Sequence, residues 1–284
     1  MLIYLTADGL ARAAGDVLLL LDLSHQDIGE VFADTDDRDA AYALFRDATV
    51  AKRIPVGEAE LRAPVTPPGR FVLVGANYAD HVREAGMPMP ESPVFVMVPD
   101  QGLCGPSDII RLPVEAPTMV DYEGELAVVL AGGGRDISAE RAWSQIGGFT
   151  VVNDVSARDV QLSAMLDGVI TDGSAVARAK SFPSFKPLGP AVLVPEQITD
   201  QPDLRLQTRV NGEIRQEGRT GDMIFDLAQI IAYVSRTEEL RPGDVVLTGT
   251  PSGVALTTGA YLRHGDNVEV EIERIGTLTN PVCE

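Results

Sequence analysis

The run Asp121-Tyr122-Glu123-Gly124-Glu125-Leu126-Ala127-Val128-Val129-Leu130 decides how this sequence reads. Its second half is a continuous apolar segment stopped by Gly132-Gly133-Gly134, which has the length and composition of a buried strand. Its first half sets acidic residues directly at the start of that strand. Glu123 and Glu125 are two apart, so on a strand they point to the same face. Two carboxylates side by side repel unless a cation or a proton lies between them. The plainer alternative is a solvated edge strand with acidic decoration, and this fragment alone does not choose.

Working outward, more strands appear. Phe71–Gly75 and Gly148–Val152 are buried-strand runs. Leu204, Leu206, Thr208 and Val210 alternate up to Asn211-Gly212, a type I′ turn signal, and a second strand continues through Ile214. Val245–Leu247 follows the turn Pro242-Gly243-Asp244, and Val268, Val270 and Ile272 alternate. Helices are fewer. Ile224, Leu227, Ile231 and Val234 fit an amphipathic helix starting near Asp222, and Ser138 caps a shorter one. Strands and helices do not alternate regularly. The expected class is therefore α+β, a mixed β-sandwich or roll rather than a doubly wound parallel sheet.

The stretch Ala63-Pro64-Val65-Thr66-Pro67-Pro68-Gly69-Arg70 is a stiff connector. It divides the chain into an expected small N-terminal domain, residues 1–66, and a catalytic domain, residues 67–284. The first part has a strand at Val17–Leu21 and a helix near Arg38–Ala48. It is small for a core of its own, so it is expected to pack on the rest.

The 284 residues are 45% hydrophobic and 23% charged, which excludes general disorder. Lys and Arg number 23 against 42 Asp and Glu, a net charge of −19. That balance argues against nucleic-acid and anionic-membrane partners, but leaves room for a local anion pocket. Cys104 and Cys283 make no disulfide framework or thiolate zinc site. No basic leader or spanning segment is seen, so a cytoplasmic location is expected. Nucleotide-loop, zincin and nucleophile-elbow motifs are all missing. The only histidines are His25, His81 and His264, which leaves no histidine-rich metal site.

Three further segments carry chemistry. Asp154 stands where a strand ends and a helical turn begins, as a cap or as a ligand. If that turn is helical, Arg158, Gln161 and Met165 share a face, and Arg with Gln suits a ligand carboxylate. His81 and Glu84 meet at i and i+3, either as an oriented general base or as an exposed pair. Lys180, before a Phe/Pro-rich turn, is a surface charge or the ammonium that balances a carboxylate cluster. Together the carboxylates point to an oxygen-only hard-cation site. Mg²⁺ fits best, with Mn²⁺ or Ca²⁺ as substitutes.

Five segments, in order, resemble the fumarylacetoacetate hydrolase family, especially its acylpyruvate hydrolase and 2-hydroxyhepta-2,4-diene-1,7-dioate isomerase members. They are Gly75 to His81, Asp121 to Leu126, Asn153 to Asp159 with Gln161, Lys180 to Pro190, and Gly249-Thr250-Pro251-Ser252-Gly253. The resemblance implies a β-sandwich-like roll and a homodimer. It implies Glu123, Glu125 and Asp154 as metal ligands, His81 and Glu84 on a mobile lid, and Lys180, Gln161 and Thr250 around the substrate.

The implied activity is Mg²⁺-dependent hydrolysis of a C–C bond in a small β-diketo acid of the acylpyruvate or fumarylpyruvate type. It would run through a metal-stabilised enolate, with water activated by His81 and Glu84 and with Arg158 or Gln161 on a terminal carboxylate. Decarboxylation of an oxaloacetate-type acid, or isomerisation, would use the same site. A non-catalytic, metal-binding dimeric scaffold is the other class. Two departures matter. Val98 stands where many members have a lysine, and Ser181-Phe182-Pro183 replaces a Gly-Phe-Asp pattern. With the charge gone, Val98 and Met165 are expected to widen the pocket for a larger apolar substrate.

Overall fold

The computed structural model describes residues 1–66, 69–163, 165–166, 169–195 and 199–284, with backbone alone at 100, 165, 166, 169 and 170. The strand Gly124–Leu130 lies inside a twelve-stranded mixed sheet. Along its main path the order is Val50–Pro55, Val17–Leu21, Gly9–Ala14, Leu2–Thr6, Lys186–Leu193, Ile146–Asn153, Gly124–Leu130, Val245–Leu247, Phe71–Gly75, Val94–Val98. Pairing along this path is antiparallel except between Val245–Leu247 and Phe71–Gly75. A five-stranded sheet, Glu213–Arg219, Arg205–Val210, Asn267–Ile272, Gly276–Cys283 and Ile110–Arg111, packs against it. The class is α+β, as expected.

The apolar run has a simple cause. Its alternate residues feed two cores. Leu126, Val128 and Leu130 meet Leu206, Val268, Val270 and the helix Leu227–Val234. Ala127 and Val129 meet Ile3, Leu5, Phe32 and Phe45. A strand buried on both faces cannot show the polar alternation of a half-buried one. Each buried Val or Leu side chain contributes about 1.5–3 kcal/mol. The first 66 residues extend this sheet, with Leu2 and Ile3 paired to Leu193 and Val192.

The hairpin turns at Asn211 and Gly212 with φ +54° and +80°, as a type I′ turn requires. Two expectations shift. The helix begins at Leu227, not near Asp222, because Asp226 and Gln229 form a capping box. Ile224 lies outside it, and its N–H donates to Asn77 O. The Pro-rich turn after Lys180 gives way at once to the strand Lys186–Leu193. Its prolines lack ladder donors, but its pairing with Ile146–Asn153 is irregular there, so the missing donors are tolerated.

Among the described residues no helix is long and apolar enough to cross a membrane.

Candidate active site

The carboxylate end of Gly124–Leu130 meets the end of Ile146–Asn153, where Asp154 N donates to Glu123 O at 2.8 Å. Glycine between the two glutamates is a packing requirement. A Cβ at Gly124 would overlap Thr208 Oγ1 and come within 2.9 Å of Val270. Gln216 holds the same backbone. Its Oε1 accepts from Gly124 N at 3.0 Å, and its Nε2 donates to Thr250 Oγ1 at 2.7 Å and Pro251 O at 2.9 Å. Asn153 Oδ1 accepts from Glu123 N. The outcome is that Glu123, Glu125 and Asp154, all buried, each bring one oxygen within 4.8 Å of the others.

Three cations serve this cluster. Arg158 Nη2 donates to Glu123 Oε1 at 2.6 Å, Nε to Asp121 Oδ2 at 2.7 Å and Nη1 to Gln161 Oε1 at 2.6 Å. Lys180, at the end of the helix Gly173–Ala179, sits 2.6 Å from Glu123 Oε2 and 2.5 Å from Asp154 Oδ2. Lys186 Nζ lies 2.7 Å from Asp154 Oδ1. Asp121 also accepts from Ala255 N and Leu256 N, at the start of the helix Ala255–Thr258.

Charge is distributed unevenly. Burial opposes the charge of Glu123, but Arg158 and then Lys180 outweigh it and hold its carboxyl well below the usual range. Burial, Asp154 and Glu123 push Glu125 well above that range. Among the described residues Glu125 forms no ion pair, and its Oε2 accepts from Gly249 N at 2.8 Å. Four carboxylates thus face three cations, and the deficit falls on Glu125. Such an all-oxygen donor set fits a hard divalent cation. Buried side-chain atoms without hydrogen-bond partners are few in folded proteins. Tyr78 Oη, His81 Nδ1 and Asn153 Nδ2 are such atoms beside or near this cluster.

His81 and Glu84 lie on the helix Ala79–Glu84. Burial lowers the His81 pKa and outweighs the pull of Glu123. His81 Nδ1 and Glu84 Oε2 are 3.9 Å apart, in contact but not hydrogen-bonded. Glu84 instead accepts from Gly253 N at 2.9 Å and Thr257 Oγ1 at 2.6 Å, and Asp80 accepts from Ser252 Oγ at 2.8 Å. These bonds strap the helix to the loop that carries Thr250.

The expected residues therefore divide. Glu123, Glu125, Asp154 and Lys180 come together. Arg158 reaches Gln161 across one helical turn, with its nitrogens engaged by protein carboxylates and an amide. Thr250 is buried, and its hydroxyl donates to Gly124 O at 2.9 Å. The Met165 side chain lies outside the described residues. Val98 does not line this cluster. Through Phe71 and Val245 it is level with Val129, four residues from Glu125, or about 13 Å along the sheet. It is buried in the second core among apolar side chains, where an ammonium is costly unless paired. Lys186 and Gln216 carried no signal in the sequence reading.

The signature of the family described as Fumarylacetoacetate (FAA) hydrolase C-terminal matches residues 70–283. The chain is 40% identical over 237 residues to a Bos taurus protein named "Oxaloacetate tautomerase FAHD2A, mitochondrial", covering 83% of this chain and 73% of that one. The fumarylacetoacetate hydrolase of Exiguobacterium antarcticum superposes with a TM-score of 0.82 at 31% identity, over 100% of this chain and 99% of that one. The 2-hydroxyhepta-2,4-diene-1,7-dioate isomerase of Mycobacterium marinum gives 0.76 at 33% identity, over 100% and 98%.

Proposed function

Because this chain belongs to the fumarylacetoacetate hydrolase family, we propose that it is an enzyme that enolises a small 2-oxo dicarboxylic acid of the oxaloacetate type, with a divalent ion held by Glu123, Glu125 and Asp154. The observation that carries this reading is the unmatched buried carboxylate of Glu125 within a three-carboxylate cluster, close to a histidine kept neutral by burial. The similarity to the bovine tautomerase supports the substrate class.

When bound, the ion supplies Lewis acidity towards the substrate's oxo oxygens. With that ion bound the site would carry net positive charge, which suits a dianionic acid. His81 has Nδ1 turned towards Glu84, so Nε2 is the atom that takes the proton from the carbon between the carbonyl groups. Lys180 offers positive charge where negative charge develops on oxygen. Delivery of that proton from His81 to the 2-oxo oxygen completes the enol, so no water is consumed. Arg158 holds Glu123 and Asp121 in place, and Gln161 extends that network to the surface of its helix.

Hydrolysis of a β-diketo acid is the second reading. The spacing of His81 and Glu84 favours it, because an imidazole beside a carboxylate can also take its proton from water. Mg²⁺ would be restored to chelator-treated protein, and enol absorbance followed with oxaloacetate and acetylpyruvate, with product analysis. Tautomerisation predicts faster keto–enol exchange with the acid recovered intact, and a loss of about 10²–10⁴-fold in His81→Ala. Acid fragments from acetylpyruvate would move the assignment to hydrolysis. Unchanged exchange in His81→Ala would remove that residue from either mechanism.

A further inference from the structure

Each carboxylate of the cluster has one oxygen held by a protein group other than Lys180, and Lys180 Nζ lies between Glu123 Oε2 and Asp154 Oδ2. Arg158 donates to Glu123 Oε1 at 2.6 Å and Gly249 N to Glu125 Oε2 at 2.8 Å, and Lys186 Nζ makes an ion pair with Asp154 Oδ1 at 2.7 Å that lies off the direction of a hydrogen bond. Lys186 differs from the other cation on Asp154. Lys180 retains a little solvent exposure, whereas Lys186 has none. Its Nζ is also surrounded by Lys180 O and, at 3.1 Å, Phe185 O. Three oxygens therefore enclose one ammonium, and two of them belong to the backbone. Lys186 is fixed to the chain that ends the Lys180 helix, and it fixes Asp154 in turn.

We propose that Lys186 is a positioning residue that limits Asp154 to a single metal-facing oxygen and so makes the site select a small octahedral ion over Ca²⁺. This rests on the divalent-ion reading above. The physical basis is the difference between the ions. Mg²⁺ demands octahedral geometry and takes carboxylates one oxygen at a time, whereas Ca²⁺ accepts six to eight oxygens and binds carboxylates through both. With Lys180 Nζ moved off Glu123 Oε2 and Asp154 Oδ2, each carboxylate would present one free oxygen, three donors in all, which leaves three positions of an octahedron for water or substrate. Freeing Asp154 Oδ1 would let that carboxylate turn and offer both oxygens. A lysine that merely neutralised charge would act equally on Mg²⁺ and Ca²⁺, because both carry two charges. The ratio of affinities separates positioning from neutralisation.

The full chain, stripped of metal by chelator, would be titrated calorimetrically with MgCl₂ and with CaCl₂, as wild type, Lys186→Met and Lys186→Gln. Wild type is expected to bind Mg²⁺ more tightly than Ca²⁺. In Lys186→Met the Ca²⁺-to-Mg²⁺ affinity ratio is expected to rise by about 10-fold. Lys186→Gln, which keeps two donors, should give a smaller rise. Circular dichroism shows which variants keep the wild-type fold. An unchanged ratio in a folded variant overturns the proposal. So does a wild type that prefers Ca²⁺, which decides the matter even if both variants misfold. Binding of neither ion by wild type removes the divalent-ion reading itself and the role of Lys186 with it.

Discussion

The two sides of Gly124 carry the same side chain in opposite electrostatic states. On one side Glu123 lies between Arg158 and Lys180, with its carboxyl held well below the ordinary range despite burial. On the other side Glu125, equally buried, has a single backbone amide and two carboxylate neighbours, and is pushed the opposite way. The two glutamates flank one glycine at the start of the strand Gly124–Leu130, so the difference comes from what packs on each. The helix Arg158–Leu162 and the end of the helix Gly173–Ala179 bring cations to Glu123. The Gly249–Gly253 loop brings only an amide to Glu125. The unfinished side of the cluster therefore faces the loop to which the His81 helix is strapped.

The largest effect comes from breaking the satisfied side. Arg158→Met leaves Asp121 and Glu123 buried without their partner, and should cost about 3–5 kcal/mol of stability. Urea unfolding of the metal-free protein measures it. Gln161→Ala, which loses one hydrogen bond at the edge of the network, should cost about 1 kcal/mol. Equal losses in the two variants would mean that Arg158 does not anchor the cluster.

The comparison sharpens with one isosteric change made on each side. Glu125→Gln removes the repelled charge, while an amide oxygen can still accept from Gly249. The metal-free melting temperature should rise by about 2 °C or more. The stabilisation that Mg²⁺ gives wild type, which follows from binding the folded state alone, should vanish. Glu123→Gln should do the opposite and lower the metal-free melting temperature, because Arg158 and Lys180 lose their shared carboxylate. Parallel thermal scans in chelator and in Mg²⁺ test both. A fall in both variants would contradict the charge asymmetry.

What the sequence showed of this arrangement depended on how local each signal was. Glu123, Glu125 and Asp154 were legible because short spacings at strand ends place them. Arg158 and Gln161 were legible as a helical pair, although not the internal destination of the arginine. Lys186 was hidden because Phe185-Lys186-Pro187 reads as a turn, whereas the chain there becomes a buried strand. Gln216 was hidden for a different reason. Ile214 pairs with Arg209 and Gln216 with Thr208, so a bulge at Arg215 shifts the ladder. That bulge leaves Ile214 54% exposed and Gln216 only 1% exposed, the reverse of what their polarity predicts. The expected position of Val98 failed because the alignment of a motif carries no information about sheet register.

The smallest effect tests the loop side. His81 is held below its ordinary pKa of about 6.5 chiefly by burial, so it stays neutral and available as a base to lower pH than a free histidine. The acid limb of kcat/KM should therefore have its midpoint below 6.5. The linkage has the matching sign. The folded state binds this proton more weakly than the unfolded chain, so the stability present above about 6.5 is lost as pH falls from there through the lower folded-state value. Thr257→Ala removes the 2.6 Å hydrogen bond that helps hold Glu84 to the loop. It should cost about 0.5–1.5 kcal/mol. The freed carboxylate, now 3.9 Å from His81 Nδ1, can close on the imidazole and stabilise its charged form. The acid limb should then move to higher pH in Thr257→Ala, and to lower pH in Glu84→Gln, where no charge remains to favour the imidazolium. Opposite shifts in the two variants would identify Glu84 as the group that orients the base. Coincident profiles would leave Glu84 as a latch between helix and loop and nothing more.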